Sequence, residues 1–196
     1  MFKMIFEATL AKLKKHHGVR IIPGSWGVLK ALDSTIVRLS VTLFPWADYR
    51  DKTAAVKVHT LYDVLLGCPE NIVMTEGIIH DKEKLKTFVT EPGITYLFDR
   101  AYIDYKEYDR YCKEGIFFIS RLKKNAIINI LNENFIPKGS TVLSDKEVIL
   151  GCQSTQMQHS VRIIQVVDSS NGELFHIVTN RFDLTAEEIA QIYRLW

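Results

Sequence analysis

The run Ile94-Thr95-Tyr96-Leu97-Phe98-Asp99-Arg100-Ala101-Tyr102 decides how this chain is read. Five apolar or small residues in a row, with no polar alternation, are the pattern of a strand buried on both faces. That strand ends by projecting one carboxylate, Asp99. A second stretch, Ala31-Leu32-Asp33-Ser34-Thr35, has the same form and presents Asp33, 66 residues earlier. A carboxylate at the end of a buried strand is costly unless it binds a metal, pairs with a cation or reaches water. Asp33 has no basic neighbour within two positions, whereas Asp99 has Arg100 beside it for a local ion pair.

Outward from these two stretches, elements alternate. On the N-terminal side, Phe2, Ile5, Phe6, Leu10 and Leu13 are spaced as one helix face, so a helix over 2–15 is expected, with Gly18 as its stop and Pro23–Gly27 as a loop. Val37, Leu39, Val41 and Leu43 alternate with polar residues and predict a half-buried strand, turning at Pro45–Asp48. A strand from Ala54 to Leu61 follows, so Asp33 lies near the start of an expected three-stranded meander, and Glu70 to Thr75 is a short strand that opens the next segment. Asp81 is placed to cap a helix reaching about Thr90. Asp104, with Glu107 three residues on, has the form of a capping box. The helix it opens has Tyr105, Tyr108 and Cys112 on its expected face, ends at Gly115, and is followed by a strand over Ile116–Ser120. Strand, helix, strand, helix, strand predicts a small parallel βαβ portion. From about Ile127 to Asn180 short strands follow: Val142-Leu143, Val148–Leu150, Val161–Val167 and Leu174–Val178, with a polar turn at Asp168–Gly172. Thr185-Ala186-Glu187-Glu188 opens a last helix whose face is Ile189, Ile192, Tyr193 and Trp196.

Bulk properties set limits. A chain of 196 residues suits one core, and 47% apolar residues exclude wholesale disorder. A formal charge of +2 is no polycation. Local basic groups stand out: Lys3, Lys12, Lys14, Lys15 and Arg20 near the start, then Arg121, Lys123 and Lys124 after an apolar strand. Most such groups are solvated faces, yet beside a carboxylate pair they suit a polyanion. Cys68, Cys112 and Cys152 form no CxxC pair, and the six histidines form no HxxxH or HxH pattern, which argues against a disulfide framework or zinc. Oxygen donors without such clusters select Mg2+ or Mn2+. No leader and no apolar run near 18 residues is visible, so a cytoplasmic protein without a membrane segment is expected.

Taken in order, three blocks resemble the insertion-sequence-four type of bacterial DDE transposase: Ala31–Thr35, Leu97–Asp104 and Val178–Trp196. Lys57-Val58-His59 and Gly77–Asp81 resemble its intervening segments, and the resemblance runs from roughly Gly24 to the C-terminus. It implies a ribonuclease-H-like α/β fold, a mixed sheet with flanking helices and a β-rich insertion before the last helix. The implied division is 1–23 as an N-terminal helix and linker left from a DNA-binding region, 24–126 as core, 127–180 as β-rich insert and 181–196 as the start of a truncated last helix.

The same resemblance implies that Asp33 and Asp99 are the first two acids of a catalytic triad and ligands of two divalent metals. It implies cleavage and strand transfer on double-stranded DNA, at element ends and target, and allows a homodimer in the DNA complex. Arg121, Lys123, Lys124 and Tyr193 are the candidate DNA contacts. The family's last helix carries a tyrosine, an arginine three residues on and the catalytic glutamate four beyond. Tyr193 matches the tyrosine; the arginine position falls on Trp196 and the glutamate position lies past it. The chain therefore reads as a transposase truncated at both ends, inactive for want of its third acid. The alternative is a non-catalytic DNA-binding or transposition-inhibiting fragment.

Overall fold

The computed structural model describes residues 4–5, 8–12, 21–47, 49, 53–167 and 172–196. Its frame is one mixed sheet of nine strands in the order β3-β2-β1-β4-β5-β9-β8-β7-β6. The strands are β1 (Leu29–Leu39), β2 (Ala54–Asp63), β3 (Cys68–Glu76), β4 (Thr95–Phe98), β5 (Phe117–Arg121), β6 (Ile128–Glu133), β7 (Val142–Leu150), β8 (Val161–Val167) and β9 (Leu174–Thr179). Helices α1 (Leu85–Phe88), α2 (Tyr105–Glu114) and α3 (Ala186–Arg194) accompany it. Among the described residues, no helix is long and apolar enough to cross a membrane.

Strands β1, β4 and β5 run parallel, and every other pairing is antiparallel. The unbroken apolar run at β4 follows from this position. All four of its residues are buried, with strands on both sides and cores on both faces. One face carries Leu32, Tyr96, Phe98 and Phe118 under α2, whose Tyr108 ring stacks on Phe118 at 4.1 Å between centroids. The other carries Leu29, Ala31, Leu97 and Ile119 under Ile189 and Ile192 of α3.

The local signals for α2 and α3 act as expected. Asp104 accepts from the Lys106 and Glu107 amides, and Gly115 closes α2 in the left-handed region at φ 68°. Glu107 does not complete a capping box; it pairs with Arg110 at 2.9 Å. The buried face of α2 is Glu107, Tyr108 and Tyr111 rather than the Tyr105–Cys112 stripe. Thr185 and Glu188 form the reciprocal capping box at α3.

Four expectations are corrected. The first long strand is Leu29–Leu39, not 37–43; the chain turns after Ser40, whose carbonyl accepts from the Leu43 and Phe44 amides. The strand beside β4 in parallel is β1, while β3 is a sheet edge. Val142 to Leu150 is one strand, because polar Ser144 and Lys146 occupy half-exposed positions of a continuous ladder. Ile128–Glu133, an exposed edge strand with no alternation to betray it, is a strand that periodicity does not reveal. Near the N-terminus, residues 4, 5 and 8–12 are helical. The remainder of the 2–15 expectation, Gly18, most of the first basic group and the 168–171 part of the polar turn lie outside the described residues.

Candidate active site

Parallel pairing brings the two aspartates together. The β1–β4 register runs from Leu29 opposite Thr95 to Leu32 opposite Phe98. Asp33 and Asp99 are the residues that follow the last of these pairs, where the strands are spaced about 4.8 Å apart. Asp99 ends its strand as expected and caps the short 3-10 turn Arg100–Tyr102. Asp33 does not: it lies at the fifth position of an eleven-residue strand. It is still a boundary, because β4 stops beside it. Leu29 to Leu32 are buried between two neighbours, and from Asp33 onward β1 has only β2 beside it.

The two carboxylates are held alike. Asp33 Oδ1 accepts from the Ser34 amide at 2.7 Å, and Asp99 Oδ1 from the Arg100 amide at 2.6 Å. Each therefore keeps oxygen lone pairs free. Neither makes an ion pair among the described residues; Arg100 gives Asp99 its amide, and its guanidinium no salt bridge. Alternation places Asp33 on the face of Ala31 and Leu29, the face that α3 covers. The C-terminal end of α3 reaches this pair. Trp196 lines an open cleft of about 230 Å³ with Ala31, Asp33, Thr35, Thr60 and Tyr62. Burial pushes the Tyr193 phenol up to about 12, and the negative charge of Asp99 adds to the shift. The Tyr193 ring packs between Phe175 and Trp196, at 5.7 and 5.8 Å.

Behind Asp33, on the opposite face, lies a buried polar group that the sequence does not announce. Asp81 caps no helix; the turn it begins is 3-10, from Asp81 to Lys84, with no side-chain cap. Its carboxylate instead accepts from Ser34 Oγ at 2.6 Å and from Lys57 Nζ at 3.3 Å. Lys57 also donates to the Ile79 carbonyl at 2.8 Å. His59, opposite Ser34 on β2, is fully buried, with Nε2 at 3.1 Å from Thr75 Oγ1 and Nδ1 at 3.7 Å from Asp81. Burial holds the His59 imidazole below its ordinary range, against the pull of Asp81. Tyr102 is buried under the same residues. Burial raises its phenol, and Asp81, Asp33 and Asp99 reinforce the rise. Ser34 thus joins the aspartate face to this network by the backbone.

The candidate basic contacts divide. Arg121 lies over the Phe175 ring at 4.7 Å and within 3.9 Å of Glu173. Lys124 is held by Glu173 at 2.6 Å. Lys123 is exposed and makes no ion pair among the described residues. Lys123 and Lys124 line a cleft of about 440 Å³ with Asp99, Arg100, Ala101 and Asn125. Glu187 and Glu188 are both engaged away from the aspartates. Glu187 accepts from Ser140 and Thr141, and Glu188 from Thr185 and the Trp26 indole. They sit at the start of α3, about 7.5–9 Å along its axis from Tyr193 at 1.5 Å per residue. Among the described residues, no group of three or more His, Cys, Asp or Glu side chains is gathered as a metal cluster.

The sheet is a mixed one of nine strands, and the sequence comparisons define the family. The family described as transposase DDE domain matches residues 27–195, and the chain belongs to that family. A protein of Geobacillus stearothermophilus, named as a probable transposase for an insertion sequence element, is 30% identical over 169 residues. That match covers 85% of this chain and 44% of the relative. A transposase for an insertion sequence element of Bacillus thuringiensis subsp. finitimus is 30% identical over 114 residues, covering 54% of this chain and 23% of the relative. The chain thus spans less than half the length of either. Among solved structures, endonuclease V of Bacillus subtilis aligns over 97% of this chain and 82% of its own, at 13% identity and a TM-score of 0.35.

Proposed function

We propose that the chain is the catalytic-core portion of an insertion-sequence transposase, acting on the phosphodiester backbone of double-stranded DNA at element ends and target. The sheet is read as ribonuclease-H-like over 24–126, with 127–180 as its β-rich insert. The observation that carries the proposal is that Asp33 and Asp99 directly follow the last parallel pair, Leu32 opposite Phe98, each with free oxygens and no ion pair among the described residues.

The donor set fits a hard divalent cation. Two carboxylates with exposed oxygens, and no thiolate or imidazole among them, suit Mg2+ or Mn2+ rather than zinc. Asp33 and Asp99 are the residues that would hold such ions. When bound, a divalent pair supplies activation of an oxygen nucleophile and neutralisation of the leaving oxygen. The chain's own residues do the rest. Arg100 and Lys123 present positive charge on the Asp99 side, where a phosphate would lie. Trp196 walls the Asp33 side, and Tyr193 stands near Asp99. Ser34, held by Asp81, fixes the backbone from which Asp33 projects.

A third acid is the expected further ligand, and Glu187 and Glu188 are committed elsewhere. The 196-residue chain by itself is therefore proposed to bind metal without efficient turnover. Its use as a non-catalytic DNA-binding or transposition-inhibiting fragment is the second reading, favoured by that same commitment.

Calorimetric titration with Mn2+ tests the proposal. Wild type is expected to bind, and Asp33→Ala and Asp99→Ala each to lose binding. Absence of binding by wild type, or unchanged binding by both variants, would remove the metal reading. A nicking assay on element-end DNA then separates the active chain from the fragment.

A further inference from the structure

The Asp99 cleft does not stop at Asn125. Three open clefts, of about 440, 220 and 430 Å³, share their linings. Lys123 borders all three. Asn125 joins the first to the second, and Tyr105 and Thr155 join the second to the third. They form one trough, which begins at Asp99, crosses the start of α2 and ends between Lys82 and Lys106.

Its charge is uneven. Arg100, Lys106 and Lys123 line it with no ion pair among the described residues. Lys124 is already paired with Glu173, and Lys82 stands 3.9 Å from Asp104. The acids of the trough are Asp99 and Asp104, and Asp104 is spent on the α2 cap. Several cations elsewhere are matched, Arg110 by Glu107 and Glu114, Arg162 by Asp145, Lys30 by Glu70 and Glu91. Three unmatched cations along one channel are the complement of a polyanion with regularly spaced charges. Between the cations, Tyr105, Ile103 and Ala126 offer apolar surface to sugar and base.

We propose that this trough seats one DNA strand as it leaves the aspartate pair, with Arg100, Lys123 and Lys106 on its phosphates. The inference rests on the phosphoryl-transfer reading for the identity of the strand. It differs from a diffuse basic surface, because Arg121, bound to Phe175, lies outside the channel.

The protein carries its own reporter. Cys152 is exposed on the trough wall. Gly151, at φ 101° and with no room for a Cβ against the Thr155 backbone, sets the turn that presents it. The Ser154 and Thr155 hydroxyls hold its thiol down to about 6, so it reacts as a thiolate at neutral pH. Cys68 is buried, and burial raises the half-buried Cys112 thiol.

The test is the rate of Cys152 alkylation by iodoacetamide at pH 7, read by peptide mapping, with binding followed by anisotropy. With a single-stranded oligonucleotide at about ten times its Kd, mass action should slow alkylation about tenfold. Lys106→Glu with Lys123→Glu should restore the rate and lower the salt slope of binding by roughly 1.4, two phosphates' worth for a single strand. Oligonucleotide bound at an unchanged alkylation rate overturns the trough, as does the absence of any oligonucleotide binding. Equal protection by polyglutamate overturns it too, since any polyanion would then serve. Asp33→Ala separates the two proposals: protection that survives loss of Mn2+ binding supports the trough alone. Protection by DNA in a wild type that binds no Mn2+ likewise supports the trough while removing the metal site.

Discussion

Arg162 and Asp33 are charged side chains on strands of one sheet, and the structure treats them oppositely. Arg162 is 5% exposed, yet every part of its guanidinium is used. It makes a forked pair with Asp145 at 3.2 and 2.6 Å, and donates to the Arg181 and Leu184 carbonyls. Arg181, equally buried, bonds Asp183, Thr95 and the Ser25 and Trp26 carbonyls, tying the 24–27 loop to β4. Asp33 and Asp99 have none of this; each holds one amide from its own successor. The difference separates two uses of charge. Around Arg162 charge is consumed in holding α3 and β9 to the sheet. At the aspartates two like charges stand near each other, each bonded to one local amide and without an ion pair among the described residues.

Four measurements can break or sharpen that contrast. The largest effect belongs to Arg162→Ala. It strands Asp145 in the core and should cost about 3–5 kcal/mol in urea unfolding. A loss below 1 kcal/mol would mean that the pair holds nothing. Next comes Asp81→Asn, which leaves the buried Lys57 without its carboxylate and should cost about 1–3 kcal/mol. Because Asp81 also fixes Ser34, Mn2+ affinity should fall about 10–100-fold. Unchanged affinity alongside the stability loss would confine Asp81 to the structural side of the comparison.

Acidification should act more gently. His59 is neutral in its buried site, with its folded pKa below the ordinary 6.5. The unfolded chain then binds more protons, so stability is full above about pH 6.5 and falls as pH drops through that window toward the folded value. Melting curves at pH 7.5 and 5.5 should show this fall, and His59→Gln should reduce it. The smallest effect is predicted for Asp33→Asn and Asp99→Asn. Relief of repulsion between neighbouring exposed carboxylates should leave stability unchanged or raise it by up to about 1 kcal/mol. A substantial loss from either would place these acids with Arg162, among the groups that hold the fold.

How much of this was legible depended on distance along the chain. Asp104 and the Thr185–Glu188 box act within four residues, and the sequence displays them. The Ile94–Phe98 run carries its own burial signal, and Asp99 follows from where it ends. Asp33 was visible as an acid after an apolar stretch, but its strand boundary was not, because what ends there is the neighbour β4. Asp81 was the clearest misreading. It has the residue type and position of a helix cap, and its true partner, Ser34, lies 47 residues away across a register that one sequence does not specify. Among the basic residues, Arg121, Lys123 and Lys124 look equivalent in sequence. Phe175 and Glu173, from a strand some 50 residues on, distinguish them.

The parallel pairing of β1 with β4 also sets when a site can exist. Asp33 and Asp99 meet only after a 66-residue loop has closed, and no local hairpin can bring them together. Such non-local closure is slow, so it follows the quick local turns of the β1–β2–β3 meander. On the ribosome, a nascent chain holds no paired acids until β4 has emerged and settled beside β1. Partly made or partly folded copies therefore lack the Asp33–Asp99 arrangement.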